Sequence, residues 1–338
     1  MRGQSRADSL LWVRGDLLTA VAALKGRWRR RIRPSDDGGE LADAENLSGG
    51  AEQLGRAHAA CMLLSCPDGP GIVAAVSGLL FERGANIVAS HQYSTHPEHG
   101  TLFMRCAFYL PGLAHDRARF EAAFDGLARR FAMRWGISYA QDRRRVAILA
   151  SRADHCLMDL LWRHTRGELD VDLVCVMSNH EELRGQVEAL GIRYVHIPVT
   201  PQTKQDAEER MLSELAGAVD LVILARYMQI LSSGFLERVA VPLINIHHSF
   251  LPAFAGRDPY RQAHERGVKL IGATAHFVTE VLDEGPIIEQ DVERVGHDYT
   301  LEDLRRVGRD LERVVLARAV RLVLEDRVLV HEGRTIVF

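Results

Sequence analysis

The sequence predicts an α/β protein of two units, a ferredoxin-like βαββαβ unit followed by a Rossmann-like open sheet with helices on both faces. Three observations predict it. With 338 residues the chain exceeds what one core usually serves. Between residues 58 and 141, strand-length apolar runs and helical stripes follow one another in the order βαββαβ. From residue 144 onward, short apolar strands alternate with amphipathic helices, the pattern of a sheet buried on both sides.

Residues 1–57 are expected to be a disordered extension and linker. The stretch 34–57 is rich in Gly, Ser and acids and has few large apolar residues. Leu17 to Leu24 is too short to span a bilayer, and its basic cluster, Arg27 to Arg31, lies behind it, opposite to a secretory leader. The net charge of −3 gives no reason to expect nucleic acid as a partner. Five scattered cysteines without a CxxC pair read as buried thiols of a reducing compartment, so a cytoplasmic protein with no membrane partner is expected.

In the first unit, Ala60 to Cys66 reads as a buried strand and Pro67-Asp68-Gly69-Pro70-Gly71 as a turn into a helix carrying Ile72, Val76 and Leu80. Ala85 to Tyr93 and Thr101 to Tyr109 read as two strands, Asp116 to Phe131 as an amphipathic helix and Met133 to Ala140 as a last strand. The segment resembles an ACT domain, the amino-acid-sensing module of metabolic enzymes. The resemblance rests on Asp68 to Val73 and on Gly84-Ala85-Asn86-Ile87. It implies an amino-acid effector at Asp68, Gly69, Gly71 and Ile72, bound where two copies meet, and hence a homo-oligomer. A Gly-rich strand–helix junction suits that role, because backbone can approach a ligand and helix N–H groups face a carboxylate.

In the second unit, strands are expected at 146–150, 171–177, 194–197, 219–225 and 243–247, with helices at 155–164, 181–190, 206–215 and 231–239. Ile271 to Val278 and Ile287 to Val292 form a hairpin, Thr300 to Leu324 one long helix, and 328–338 a terminal hairpin. Ligands in such sheets sit at the carboxyl ends of strands, where Arg226 and His247 lie. The first strand leads into Ser151 to Cys156, without a glycine, so neither a dinucleotide nor a phosphate cradle is supported.

The chemistry gathers between Pro242 and Val295. Asn245 and His247 share one face of a strand and His248 takes the other. An amide donor suits a developing oxyanion, and an imidazole suits proton transfer or, protonated, charge stabilisation. Asp283 sits in an Asp-Glu-Gly-Pro turn, whose glycine is expected to let backbone approach a ligand. No nucleophile elbow surrounds Ser249, so attack by water or a substrate amine is expected. His247 and His248 face apart, so no metal is expected, and His276 reads as a hydrogen-bonded structural histidine.

Three blocks, Asn245 to Pro252, Gly272 to Val278 and Leu282 to Ile288, resemble the formyltetrahydrofolate transferase and hydrolase family over residues 144–338. The resemblance implies Asn245, His247 and Asp283 as the catalytic trio. It also implies Tyr227, Met228, Gln229, Ile230, Leu231 and Val278 as folate-binding, with backbone reading the pterin edge and apolar side chains covering its face. No cofactor is implied beyond the folate substrate. The missing glycine loop puts a phosphorylated amine acceptor in doubt, and no stretch matches the family's appended nucleic-acid domain. The implied activity is hydrolysis of 10-formyltetrahydrofolate to formate and tetrahydrofolate, serving one-carbon and purine metabolism under amino-acid control. A formyltransferase to a small amine and a non-catalytic folate sensor are the alternatives. Arg257 and Asp258 could reach the folate glutamate tail or be solvated.

Overall fold

The computed structural model describes residues 55–96, 98–253 and 258–338. The expectation for the extension through residue 54, and for Arg257, lies outside the described residues. The chain forms two compact α/β units that part between Asp142 and Arg143. Among the described residues, no helix is long and apolar enough to cross a membrane.

The first unit contains β1 (Ala59–Pro67), α1 (Ile72–Glu82), β2 (Asn86–Ser94), β3 (Thr101–Tyr109), α2 (Leu113–Arg130) and β4 (Arg134–Tyr139). Its four-stranded antiparallel sheet has the order β2-β3-β1-β4, the ferredoxin-like arrangement that the alternation predicts. Gly71 starts α1 with φ 88°, a left-handed conformation that glycine adopts without steric cost. One face of the sheet is sealed by aromatics. Phe108 stacks on Phe120 at 5.3 Å, and Phe124 meets Trp135 at 4.5 Å between ring centroids.

The second unit runs β5 (Arg144–Ala150), α3 (His155–Thr165), β6 (Val171–Ser178), α4 (Arg184–Glu188), β7 (Tyr194–His196), α5 (Lys204–Leu215), β8 (Leu221–Ala225), α6 (Ser233–Val239) and β9 (Leu243–His247). It continues with α7 (Pro259–Glu265), β10 (Leu270–Phe277), β11 (Ile287–Arg294), α8 (Leu301–Leu324), β12 (Val328–His331) and β13 (Arg334–Val337). The seven-stranded sheet has the order β11-β10-β9-β8-β5-β6-β7. Its five strands from β9 to β7 are parallel, while β10 and β11 are antiparallel additions. Winding starts at β5 and reverses there, so the switch point lies between the carboxyl ends of β5 and β8, at Ser151 and Arg226.

Two elements depart from the sequence expectation. The helix expected at 181–190 is only Arg184–Glu188, because Gly185 weakens it, no side chain caps its start, and within it only Val187 is buried. A helix appears at Pro259–Glu265, between the strand at 243–247 and the hairpin from Ile271, where no element is expected, and its signal was Pro259 at the first turn. The long α8 is opened by a reciprocal capping box between Thr300 and Asp303 and packs on β10, β11 and α3.

Candidate active site

The site is built on the last residues of β9 and the strand beside them. In the antiparallel pairing of β9 with β10, Asn245 lies opposite His276 and His247 opposite Thr274. Asn245 Nδ2 is 3.2 Å from His276 Nε2, and His276 Nδ1 is 2.9 Å from the Phe277 carbonyl oxygen. That pair of contacts assigns the His276 proton to Nδ1, which donates to the carbonyl, while Nε2 accepts from the Asn245 amide. Burial lowers the His276 pKa, against the opposing pull of the Phe277 carbonyl, which keeps the ring neutral. One Asn245 N–H remains for another acceptor.

Thr274 stitches the loop after β9 into place. Its hydroxyl donates to the Ser249 carbonyl at 2.8 Å and accepts from the Leu251 amide at 3.0 Å. Ser249 donates its own hydroxyl to the Ala253 carbonyl at 2.9 Å, so the nearest hydroxyl is committed to loop structure.

Asp283 arrives from the turn between β10 and β11. Its φ of 58° is tolerated by Asp better than by most residues. Gly285 works differently from the sequence expectation. A Cβ there would fall 1.6 Å from the Phe277 carbonyl oxygen, so the glycine lets the turn close onto β10 and not onto a ligand. The Phe277 amide then bonds the Pro286 carbonyl at 2.9 Å, and Asp283 is carried to the strand ends.

His247 is 6% exposed, and its Nδ1 lies 3.2 Å from Asp283 Oδ2. The hydrogen bond from His247 is the main cause that holds the Asp283 carboxyl below its ordinary range. His247 Nε2 is sealed from solvent without a hydrogen-bond partner. Asp283 Oδ1 is 3.7 Å from His276 Nε2, which places both histidines around one carboxylate. The three residues singled out in the sequence therefore converge, and His276, read there as structural, is Asn245's direct partner. Its place opposite Asn245 depends on strand register, which local pattern does not reveal.

The segment read as folate-binding divides. Tyr227 is 2% exposed and its hydroxyl faces Met211 Sδ at 3.3 Å, so its side chain belongs to the core and only its backbone is available. Leu231 and Val278 are partly buried against that core. Met228 and Ile230 stand out at 61% and 60% exposure, as do Val281 and Leu282 in the Asp283 loop. Arg226 and Met228 flank Tyr227 with φ of 60° and 57°, and the Ser151 hydroxyl pins the Tyr227 carbonyl at 2.5 Å. Gln229, between Met228 and Ile230, is half-buried. Asp258 is bound by Arg261 at 3.0 Å and Arg305 at 3.2 Å.

Sequence reasoning missed a second polar cluster. Glu312, buried on α8, accepts from Tyr260 Oη at 2.6 Å and His155 Nε2 at 2.8 Å, and Arg226 Nε lies 3.3 Å away. Its signal was available: Glu312 interrupts the apolar stripe Leu304, Leu311, Val315. In the first unit, Asp68, Gly69, Gly71 and Ile72 line one cavity of about 690 Å³ with Gln92, Tyr93 and Ser94. There Asp68 is already occupied, accepting from the Gly69 amide at 2.8 Å and the Ser94 hydroxyl at 2.5 Å.

Known proteins resemble the chain across both units. Residues 144–320 match the formyl transferase family and residues 62–107 the ACT domain. The formyltetrahydrofolate deformylase of Mycobacterium tuberculosis is 58% identical over 82% of this chain and 90% of its own length. That of Bacillus subtilis is 50% identical over 86% and 95% respectively. The crystal structure of a formyltetrahydrofolate deformylase from Pseudomonas syringae pv. tomato superposes with a TM-score of 0.79 at 48% identity, covering 83% of this chain and 94% of that one. With an ACT domain joined to a formyl transferase domain, and this identity over most of its length, the chain belongs to the formyltetrahydrofolate deformylase family.

Proposed function

We propose that the protein hydrolyses 10-formyltetrahydrofolate to formate and tetrahydrofolate. The observation that carries this reading is the convergence of Asn245, His247 and Asp283 at the carboxyl end of β9, with Ser249 committed to the loop. Water attacks the formyl carbon and a tetrahedral oxyanion forms. The free Asn245 N–H donates to that oxyanion. Asp283 holds the His247 proton on Nδ1, which leaves Nε2 as the basic nitrogen that takes the proton from water. Protonated His247 stabilises the intermediate and delivers the proton to N10 as the C–N bond breaks. Formate and tetrahydrofolate result, and no cofactor enters because water, amide, imidazole and carboxylate complete the balance. The exposed Met228, Ile230, Val281 and Leu282 suit the flat apolar face of a pterin, and the backbone near Tyr227 suits its polar edge.

The test is formate release from 10-formyltetrahydrofolate with no acceptor present. Formate at a steady rate supports hydrolysis, whereas formate only on addition of an amine would make the protein a transferase. Tight folate binding without any turnover would make it a sensor.

A regulatory reading is favoured by the cavity around Asp68 to Ile72. We infer that a small amino acid binds there and modulates hydrolysis, in a homo-oligomer that pairs these units, within a reducing cytoplasm that suits five scattered cysteines without a CxxC pair. Unchanged responses to a panel of amino acids after Gly71→Val would remove this inference.

A further inference from the structure

Behind the histidine pair lies a cavity of about 270 Å³ that the hydrolytic mechanism does not use. His155, Arg226, His248, Tyr260, Arg309 and Glu312 line it. It begins one residue past His247, since the His247 and His248 rings are 5.2 Å apart. At roughly 30 Å³ per water, it has room for about nine waters, or a small ligand with part of its shell.

Of the three acids in the wall, Glu312 and Asp258 are engaged by donors, and the exposed Asp154 stands at the start of α3. Gly308 makes the engagement of Glu312 possible, because a Cβ there would sit 2.1 Å from Tyr260 Oη and block its reach to Glu312. Burial alone would raise the Glu312 pKa, but His155, Arg226 and Tyr260 outweigh it and keep the group anionic. The acid Asp258 is likewise bound by two arginines. Arg226 is different. It approaches Glu312 off-axis, and its Nε and Nη1 are sealed without a hydrogen-bond partner, as is His155 Nδ1. Those sealed donors are costly where they stand and do not themselves face the cavity, but the rest of the Arg226 guanidinium lines it, and a guanidinium is matched by a carboxylate. The start of α3 adds donors, since Asp154 gives its first turn no side-chain cap. Burial, reinforced by Arg226, pushes His248 down to about 3, so it offers a neutral N–H. A cation fits poorly. The donor atoms of His155, Cys156 and Glu312 lie within 4.8 Å of one another, but burial pushes the Cys156 thiol up and Arg226 already faces Glu312.

We propose that this cavity is a subsite for the formate product, held by Arg226 and Arg309 beside His155 and His248. The proposal rests on the hydrolysis proposed above, which generates a small carboxylate one residue away. Formate occupies the subsite while folate occupies the Met228–Ile230 side.

The test uses the full chain. Hydrolysis is measured against sodium formate, with sodium chloride at matched ionic strength, in wild type, Arg309→Gln and Arg226→Lys. The lysine keeps the charge beside Glu312 but loses the fork. Formate should inhibit without competing with 10-formyltetrahydrofolate. The half-inhibitory concentration should rise about threefold in Arg309→Gln and about tenfold in Arg226→Lys. Binding of ¹³C-formate to the folate-free proteins, read by NMR, should weaken in the same order. Formate release with identical formate inhibition in all three proteins would overturn the subsite and leave hydrolysis standing. No formate release at all would remove both. Inorganic phosphate that displaces ¹³C-formate at lower concentration, with the same arginine dependence, would reassign the cavity to a phosphate ester.

Discussion

Asp283→Asn isolates the charge of the carboxylate from its shape. Asparagine tolerates the φ of 58° at this position, so the turn should hold. The side chain keeps an oxygen near His247 Nδ1, yet it no longer opposes the positive charge that His247 acquires when it takes the proton. At the observed 3.2 Å, an imidazolium–carboxylate pair in a partly buried site is worth about 5 kcal/mol at an effective dielectric of 20. Part of this survives as a neutral hydrogen bond, and the amide can also present N–H₂ to His247 and favour the wrong tautomer. A fall in kcat of about 10²–10⁴ follows, at roughly 1.4 kcal/mol per decade. KM should change little, since Asp283 acts on the reacting centre through His247. The assay is acceptor-free formate release at saturating substrate, with circular dichroism and thermal unfolding to verify the fold. A kcat within tenfold of wild type in a folded Asp283→Asn protein would refute the reasoning.

Three further outcomes follow from the same geometry. Asn245→Ala should lower kcat by about 10²–10³ through loss of the oxyanion donor. It should also cost about 1–2 kcal/mol in urea unfolding, because His276 Nε2 is left without its partner. Gly285→Ala should reduce stability and activity together, since its Cβ would overlap the Phe277 carbonyl and the Asp283 turn must lift; matched urea midpoints for mutant and wild type would contradict this. The half-buried His248, pushed from 6.5 down to about 3, is neutral when folded and protonates first in the unfolded chain. Its stabilisation is therefore complete above about pH 6.5 and is lost as pH falls towards the folded value. About 2 kcal/mol should go between pH 7 and 5, and unfolding of His248→Gln over that range should show a flatter slope.

What the sequence determined by itself is local. The period of the apolar residues marks strands and helices, turn residues mark their ends, and strand alternation puts Asn245 and His247 on one face with His248 on the other. The short α4 and the unexpected α7 escaped it, because helices of one or two turns owe their existence to packing. What only the tertiary structure decided is long-range. His276 meets Asn245 from 31 residues away through antiparallel register. Glu312 gathers His155 and Tyr260 from 157 and 52 residues away on one helix face. Tyr227 turned into the core instead of towards a ligand, and Gly285 proved to serve contact between chain segments. The physical reason is common to all four. A residue's face follows from its neighbours in the chain, whereas its partner follows from how whole elements dock, which their own periodicity does not encode.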